Sequence, residues 1–325
     1  MKTFFFNLSI RQIFAIHLTV LLSTFFTDAS CQNYRWQSKL VSQSDNNKEI
    51  NEKQEYFIWK TIINNNVFYL VGSVHVANQN NYPLPKKYMD CYDRANILIM
   101  EVKEDFVTIE KKMLEYAQKD KLPEDKYLRN FLDSLTIEKI IEIIGKDEFL
   151  KYDNYEAWLL NMYLSVFKLR LVGYDPELAI DKHFRELAEK DNKQVIGLDS
   201  LVHQFKLFEF NLPFESQILI IENIVSIIES LAQKESPLFD AYFKGDIESF
   251  KKIFLEFYDF ENPQMKYIYS SVFADRNIKW VEKIENISKQ GEFTYMVLVG
   301  AGHYFGPDNI LELLRKKNYI IEKVE

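Results

Sequence analysis

At 325 residues and 47% hydrophobic side chains, the chain is long enough to bury a large core, as one domain or one with an inserted subdomain. A net charge of −8, from 40 basic and 48 acidic residues, leaves no basic footprint, which argues against a nucleic-acid partner. The cysteines are Cys31 and Cys91 alone; they cannot build a disulfide framework or a cysteine metal site, so any metal must be held by His, Asp and Glu.

Lys2 and Arg11 precede an apolar run from Ile13 to Phe26, followed by Ala29, Ser30 and Cys31. A positive start, a short apolar middle and a small-residue exit predict a signal peptide over residues 1–31. The run is short for a bilayer span. A buried N-terminal helix is the alternative. Cys31 is a candidate lipid acceptor, but Asp28 stands where a lipoprotein signal prefers an aliphatic residue. Ordinary cleavage and lipid anchoring both stay open, and the expected location is secreted, periplasmic or lipid-anchored at a membrane surface. Residues 32–54, polar with Asn, Gln, Ser and Lys prominent, predict a tether.

Order is expected from residue 55. Tyr56–Ile63 and Val67–Val71 are β-rich runs split by Asn64-Asn65-Asn66, a hairpin signal. Asn96–Val102 is a continuous apolar run suited to a central strand. From Phe106 to Lys168 apolar residues recur at three and four spacing. Helices are expected there, and over Asp181–Lys190 with Asp181 as a cap, Phe214–Leu231, Asp246–Tyr258, Met265–Ser288 and Asp308–Lys317, with Asp246 and Ser270 as local polar punctuation. Val195–Asp199, Thr294–Val299 and Tyr319–Val324 read as strands. The expected fold is α/β: a central mixed sheet from N- and C-terminal strands, with a largely helical insertion over about 106–290, in one domain from 55 to 325.

Two segments share one form. Gly72-Ser73-Val74-His75 leaves the strand ending at Val71, and Gly300-Ala301-Gly302-His303 leaves the strand ending at Val299. Glycine there allows a tight turn or a close backbone approach. Histidines at the C-terminal ends of neighbouring strands can converge where α/β sheets bind ligands. Glu101 closes the third strand, and a carboxylate buried there needs a cation, a histidine or a metal. His75, Glu101 and His303 therefore make a candidate two-histidine, one-carboxylate set with coordination positions left open. Each has a plainer reading, as a turn or core histidine or a surface carboxylate; only their company argues for chemistry. Arg276 and Asn277 lie on a helix whose apolar face is read as including Ile278 and Val281. Arg276 is expected either to hold a substrate carboxylate or oxyanion, or to pair with Glu101 or Asp181. His183 and His203 read as ordinary, partly exposed residues.

The ordered set of segments is similar to the TraB/GumN/TIKI family. Leu70–Val76, Tyr82-Pro83-Leu84-Pro85 and Ala95–Glu101 resemble that family's opening; Asp181–Phe184 and Lys193–Asp199 its middle block; Asp275–Trp280 its Arg-Asn-x-x-Trp helix; and Val299–Gly306 its closing motif. The sequence departs from the family pattern at Ser73, Ala179, Asp199 and His203. The resemblance implies a fold related to erythromycin-esterase-like and ChaN-like proteins. It also implies metal-dependent peptide or protein hydrolysis, as in TIKI proteases, with manganese or cobalt as the metal; the ligand types also permit zinc. His75, Glu101 and His303 would hold the ion, and Arg276 would join them in catalysis. Gly72, Ser73, Gly300, Gly302, Asp181 and Asn277 would surround the cofactor. Glu101 could serve as ligand or as general base. The rival expectation is a non-catalytic peptide or haem binder of the same fold, and a third is an exported domain with a degenerate site.

Overall fold

A computed structural model describes residues 55–324, apart from residues 120, 209–213, 230–236 and 259. The expected signal peptide, Cys31 and the tether lie outside the described residues. Six strands form one sheet: β1 (Ile58–Ile63), β2 (Asn66–Ser73), β3 (Ile97–Met100), β4 (Gln194–Gly197), β5 (Thr294–Gly300) and β6 (Glu322–Lys323). Their spatial order is β4-β3-β5-β2-β1-β6. The first four in that order run parallel, and β1 is antiparallel to both β2 and β6. This is the expected mixed sheet, with β4 added from the middle of the chain.

The hairpin between β1 and β2 turns on Asn64 and Asn65, at φ of 48° and 65°. Positive φ at both central residues is what a two-residue I′ turn requires, and asparagine tolerates it. Asn66 is already in the ladder, and β2 runs past Val71 through Gly72 to Ser73. Gly72 is thus a strand residue and not a turn. A Cβ there would stand 3.1 Å from Ala301 and 3.2 Å from Phe57, so glycine serves close packing. The closing strand is shorter than expected and keeps only Glu322–Lys323.

Helices cover the sheet and fill the insertion. They are α1 (Lys86–Arg94), α2 (Phe106–Lys119), α3 (Ser134–Ile144), α4 (Lys146–Tyr152), α5 (Ala157–Leu171), α6 (Ile180–Lys190), α7 (Leu201–Phe208), α8 (Phe214–Glu229), α9 (Pro237–Lys244), α10 (Ile247–Phe257), α11 (Pro263–Tyr269), α12 (Asp275–Ile287) and α13 (Ile310–Lys316). Leu231, where the sequence placed the end of α8, lies outside the described residues. α5 is buried around most of its circumference, as a helix at the centre of a helical layer must be. The helix expected over Met265–Ser288 is α11 and α12 joined by a π-helical turn, Ser270–Ala274, which begins at the serine that punctuates the sequence. Among the described residues no helix is long and apolar enough to cross a membrane.

α12 buries Arg276, Asn277, Trp280, Val281, Ile284 and Ile287, a stripe at three and four spacing with two polar residues at its start. Ile278, read from the sequence as part of the apolar face, is 43% exposed. Val281 is buried as expected, and it shares the face with Arg276, Asn277 and Trp280 and not with Ile278.

Candidate active site

Strand order brings the site together. β5 lies between β2 and β3, with Ser73 beside Gly300 and Met100 beside Leu298. The residues leaving these parallel strands at their C-terminal ends therefore emerge side by side: His75 after β2, Glu101 after β3 and His303 after β5. This is the edge where α/β sheets carry ligands. Their exposures are 6%, 8% and 2%.

Glu101 is the hub. Its Oε1 accepts from the Gly300 N–H at 3.0 Å and lies 3.6 Å from His75 Nε2 and 3.8 Å from His303 Nε2. Its Oε2 accepts from Arg276 Nη2 at 2.6 Å and Gln204 Nε2 at 3.1 Å. Burial pushes its carboxyl up, but Arg276, His303, His75 and the Gly300 N–H together hold it below the usual carboxylate range. Gly300 borders both groups: a Cβ there would stand 3.4 Å from Glu101 Oε1 and from His75 Nε2, in ordinary contact with each.

Each histidine has a partner on its Nδ1 side. Asp181 Oδ2 lies 2.8 Å from His75 Nδ1, and Asn277 Oδ1 lies 2.6 Å from His303 Nδ1. In the neutral rings these acceptors favour a proton on Nδ1 and leave the lone pair on Nε2, facing Glu101. The Asp181 contact is a close ion pair, and neither ring nitrogen of His75 has a well-aligned hydrogen bond among the described residues. Burial pushes His75 down, yet Asp181 and Glu101 lift it above its ordinary value. His303 is held well below its ordinary value by burial and by Arg276. It packs against Trp280 and Phe273, with ring centres 4.3 and 4.8 Å away.

Asp181 is not the cap of α6. It sits in the first turn, on the buried stripe with Ile180 and Phe184, and Ala179 occupies the cap position without a side-chain bond. Facing His75 is what holds it inward. Arg276 is 2% exposed and fully engaged. It donates to Asp199 Oδ2 (2.7 Å), Glu101 Oε2 (2.6 Å) and the Val272 carbonyl (3.0 Å), and its Nη1 lies 3.4 Å from His303 Nε2. Its guanidinium also stacks on Trp280 at 4.4 Å. It pairs with Glu101 and Asp199, not with Asp181. Asn277 links His303 to the Asp308 carbonyl. Gly302 is a packing glycine, since a Cβ there would meet Phe254 and Phe273 at 2.7 Å. Ser73 is buried, and its hydroxyl finds no partner among the described residues.

Two site residues escape a reading of the sequence. Asp199 leaves β4 as Glu101 leaves β3, and its carboxyl is brought to about 2: burial raises it, and His203 and Arg276 more than offset that. Gln204, 2% exposed, stands on the buried stripe of α7 with Leu201 and Phe205. A polar residue on an apolar stripe was the available signal for both Gln204 and Asp181.

The model of the TraB/PrgY/gumN family matches residues 57–323. This chain belongs to the TraB/PrgY/gumN family. Two TraB/PrgY/gumN relatives are the uncharacterized protein YbaP of Escherichia coli (strain K12) and YbaP of Shigella flexneri. Each is 22% identical over 258 residues, covering 78% of this chain and 90% of the relative. No solved structure matches it. The segments that carried the resemblance map onto the site: β2 and its exit supply His75, β3 and its exit Glu101, α12 Arg276 and Asn277, and β5 and its exit Gly300 and His303.

Proposed function

We propose that this TraB/PrgY/gumN chain is a metal-dependent hydrolase of peptides or proteins, with a divalent ion held by His75, His303 and Glu101. The observation that carries the reading is the convergence of two imidazole Nε2 atoms on one carboxylate oxygen, at 3.6 and 3.8 Å. Ligands about 2.0–2.2 Å from one tetrahedral ion stand roughly 3.4 Å apart. Among the described residues no group of three or more His, Cys, Asp or Glu is positioned to hold a metal ion as it stands. The donor chemistry nevertheless fits. Lone pairs facing a carboxylate oxygen repel unless a proton or cation lies between them. With neutral imidazoles, the three carboxylates Glu101, Asp181 and Asp199 outnumber the single guanidinium of Arg276, which pairs with Glu101 and Asp199, leaving negative charge in excess. Manganese or cobalt is the proposed metal, with zinc also suited to these ligands.

When bound, such an ion polarises a carbonyl and lowers the pKa of water. Glu101 suits the role of ligand better than that of general base. Both its oxygens are hydrogen-bonded and its pKa is lowered, whereas a base works best near the operating pH. His75, fixed by Asp181 on its Nδ1 side, is the histidine of the set that lines the cleft. Arg276 and Asn277 hold Glu101 and His303 in place. Export is part of the same proposal and rests on residues 1–31 of the sequence alone.

The test is metal content and peptide cleavage of the full chain, His75→Ala and His303→Ala, with manganese, cobalt or zinc and a peptide mixture read by mass spectrometry. Stoichiometric metal and metal-dependent cleavage, both lost in the variants while circular dichroism is kept, is the expected result. Full activity in both variants sinks the reading. One observation favours a second reading, a peptide-binding protein without turnover: Arg276 is already a cation seated against both Glu101 and His303. Saturable peptide binding with neither metal uptake nor cleavage would establish it. In a haem-binding version His75 would be the axial ligand, since His75 lines the cleft; a Soret band lost in His75→Ala would show it.

A further inference from the structure

The cleft in front of His75 and Glu101 is about 370 Å³, taken out to its open mouth. Phe106 and Ile109 of α2 form an apolar wall, and Arg185 of α6 stands on the polar side. Each carboxylate that lines this cleft already has a partner. Glu101 is held by Arg276, Asp181 faces His75, and Glu104 pairs with Lys112 at 3.7 Å. Arg185 has none among the described residues. Its Nε is shielded from solvent and makes no hydrogen bond, and no ion pair involves it.

Its neighbours are committed elsewhere. Asp105 feels the charge of Arg185, but its oxygens accept from the Thr108 N–H and hydroxyl at 2.8 and 2.7 Å, at the start of α2. Lys182, on the same helix, is taken by Glu177 and Glu186 at 2.5 and 3.8 Å. Arg276 is saturated and does not line the cleft. A guanidinium partly withdrawn from water with an unused donor calls for an anion, best a planar carboxylate that it can grip in two places.

Helix geometry fixes where that anion would sit. Asp181 and Arg185 are four residues apart on one face of α6, which puts their Cβ atoms about 5–6 Å apart. Asp181 marks the position of His75. An extended peptide advances at most about 3.3–3.6 Å per residue, so a carboxylate on Arg185 sets a peptide bond one or two residues away before His75 and Glu101.

We propose that Arg185 is the anion anchor of this cleft, binding a carboxylate of the substrate peptide and so selecting which bond meets the site. This rests on the hydrolase reading for its substrate class, while the anchor itself rests on the cleft. The carboxylate is a chain terminus or an Asp or Glu side chain, and the experiment separates the two.

The full chain, Arg185→Gln and Arg185→Lys are given three matched peptides: one with a free C-terminus, its C-terminal amide, and one with its internal acidic residues made neutral. The readouts are kcat/KM with manganese, and affinity by calorimetry. For a terminal anchor, amidation costs the intact chain about tenfold to a hundredfold. That ratio collapses towards one in Arg185→Gln and partly returns in Arg185→Lys. If neutralising internal acids produces the Arg185-dependent ratio instead, a side-chain carboxylate is the ligand. If Arg185→Gln discriminates the peptides as the intact chain does, the anchor is overturned. If the intact chain cleaves nothing, the hydrolase reading fails and affinity decides alone: an Arg185-dependent preference for the anionic peptide keeps the anchor, and equal affinity for charged and neutral peptides removes it.

Discussion

At the scale of single residues, the site is organised by the cost of burying charge. Arg276 neutralises two carboxylates that could not otherwise be this far from water. Replacing it with methionine removes the one guanidinium that neutralises Glu101 and Asp199, and should cost about 3–5 kcal/mol in urea unfolding. Lysine should not rescue it, because one ammonium cannot reproduce the forked contacts. The depressed carboxyl of Asp199 has a definite pH sign. Its folded value, about 2, lies below its unfolded value, so its contribution of about 2 kcal/mol is present above pH 4 and lost as pH falls towards 2. The stability gap between the intact chain and Asp199→Asn should therefore narrow from pH 6 to pH 2.5; a constant gap refutes the assignment. Gly300 and Gly302 should separate function from stability. At Gly300 an alanine Cβ contacts Glu101 and His75 at an ordinary distance, so activity should suffer more than the thermal midpoint. At Gly302 it collides with Phe254 and Phe273, which should cost about 1–3 kcal/mol.

Among the elements, the π turn Ser270–Ala274 decides which face of α12 meets the sheet. A π turn carries one residue more than an α-helical turn. Deleting Ser271 should rotate α12 by about 100° relative to α11 and withdraw Arg276 and Asn277 from Glu101 and His303. The expected outcome is loss of metal uptake and a marked drop in urea midpoint; unchanged values for both would show that the turn absorbs the deletion. Ser270 as a point of punctuation was legible in the sequence, but the altered helical phase was not, because hydropathy follows which side chains are buried and not how the backbone bonds close. For the same reason Ile278 was placed on the wrong face. Glu101 and the two histidines were legible because each follows a strong β run. Asp181 was legible as a residue and misread in role, since an acid in a first helical turn is a cap far more often than a partner of a distant histidine.

For the molecule as a whole, β5 is the structural keystone. It is built from residues 294–300, yet it lies between β2 and β3, from residues 66–73 and 97–100. A chain cut before Thr294 loses the strand that joins them, and leaves two apolar strand edges unpaired. It should fail to show a cooperative melt by circular dichroism and should aggregate in sedimentation; a folded, soluble fragment would contradict this topology. Taken alone, the amino-acid order determined the elements, the α/β class, the family resemblance that the match over residues 57–323 establishes, and the three strand-end residues. Those properties reside in local periodicity and short motifs. The insertion of β5 between β2 and β3, the choice of Asp199 as second partner of Arg276, the turning of Asp181 towards His75, and the unpaired guanidinium of Arg185 were decided only in three dimensions. Each depends on charges and strands far apart in the chain sharing one low-dielectric space, and no local pattern records which distant partner will be there.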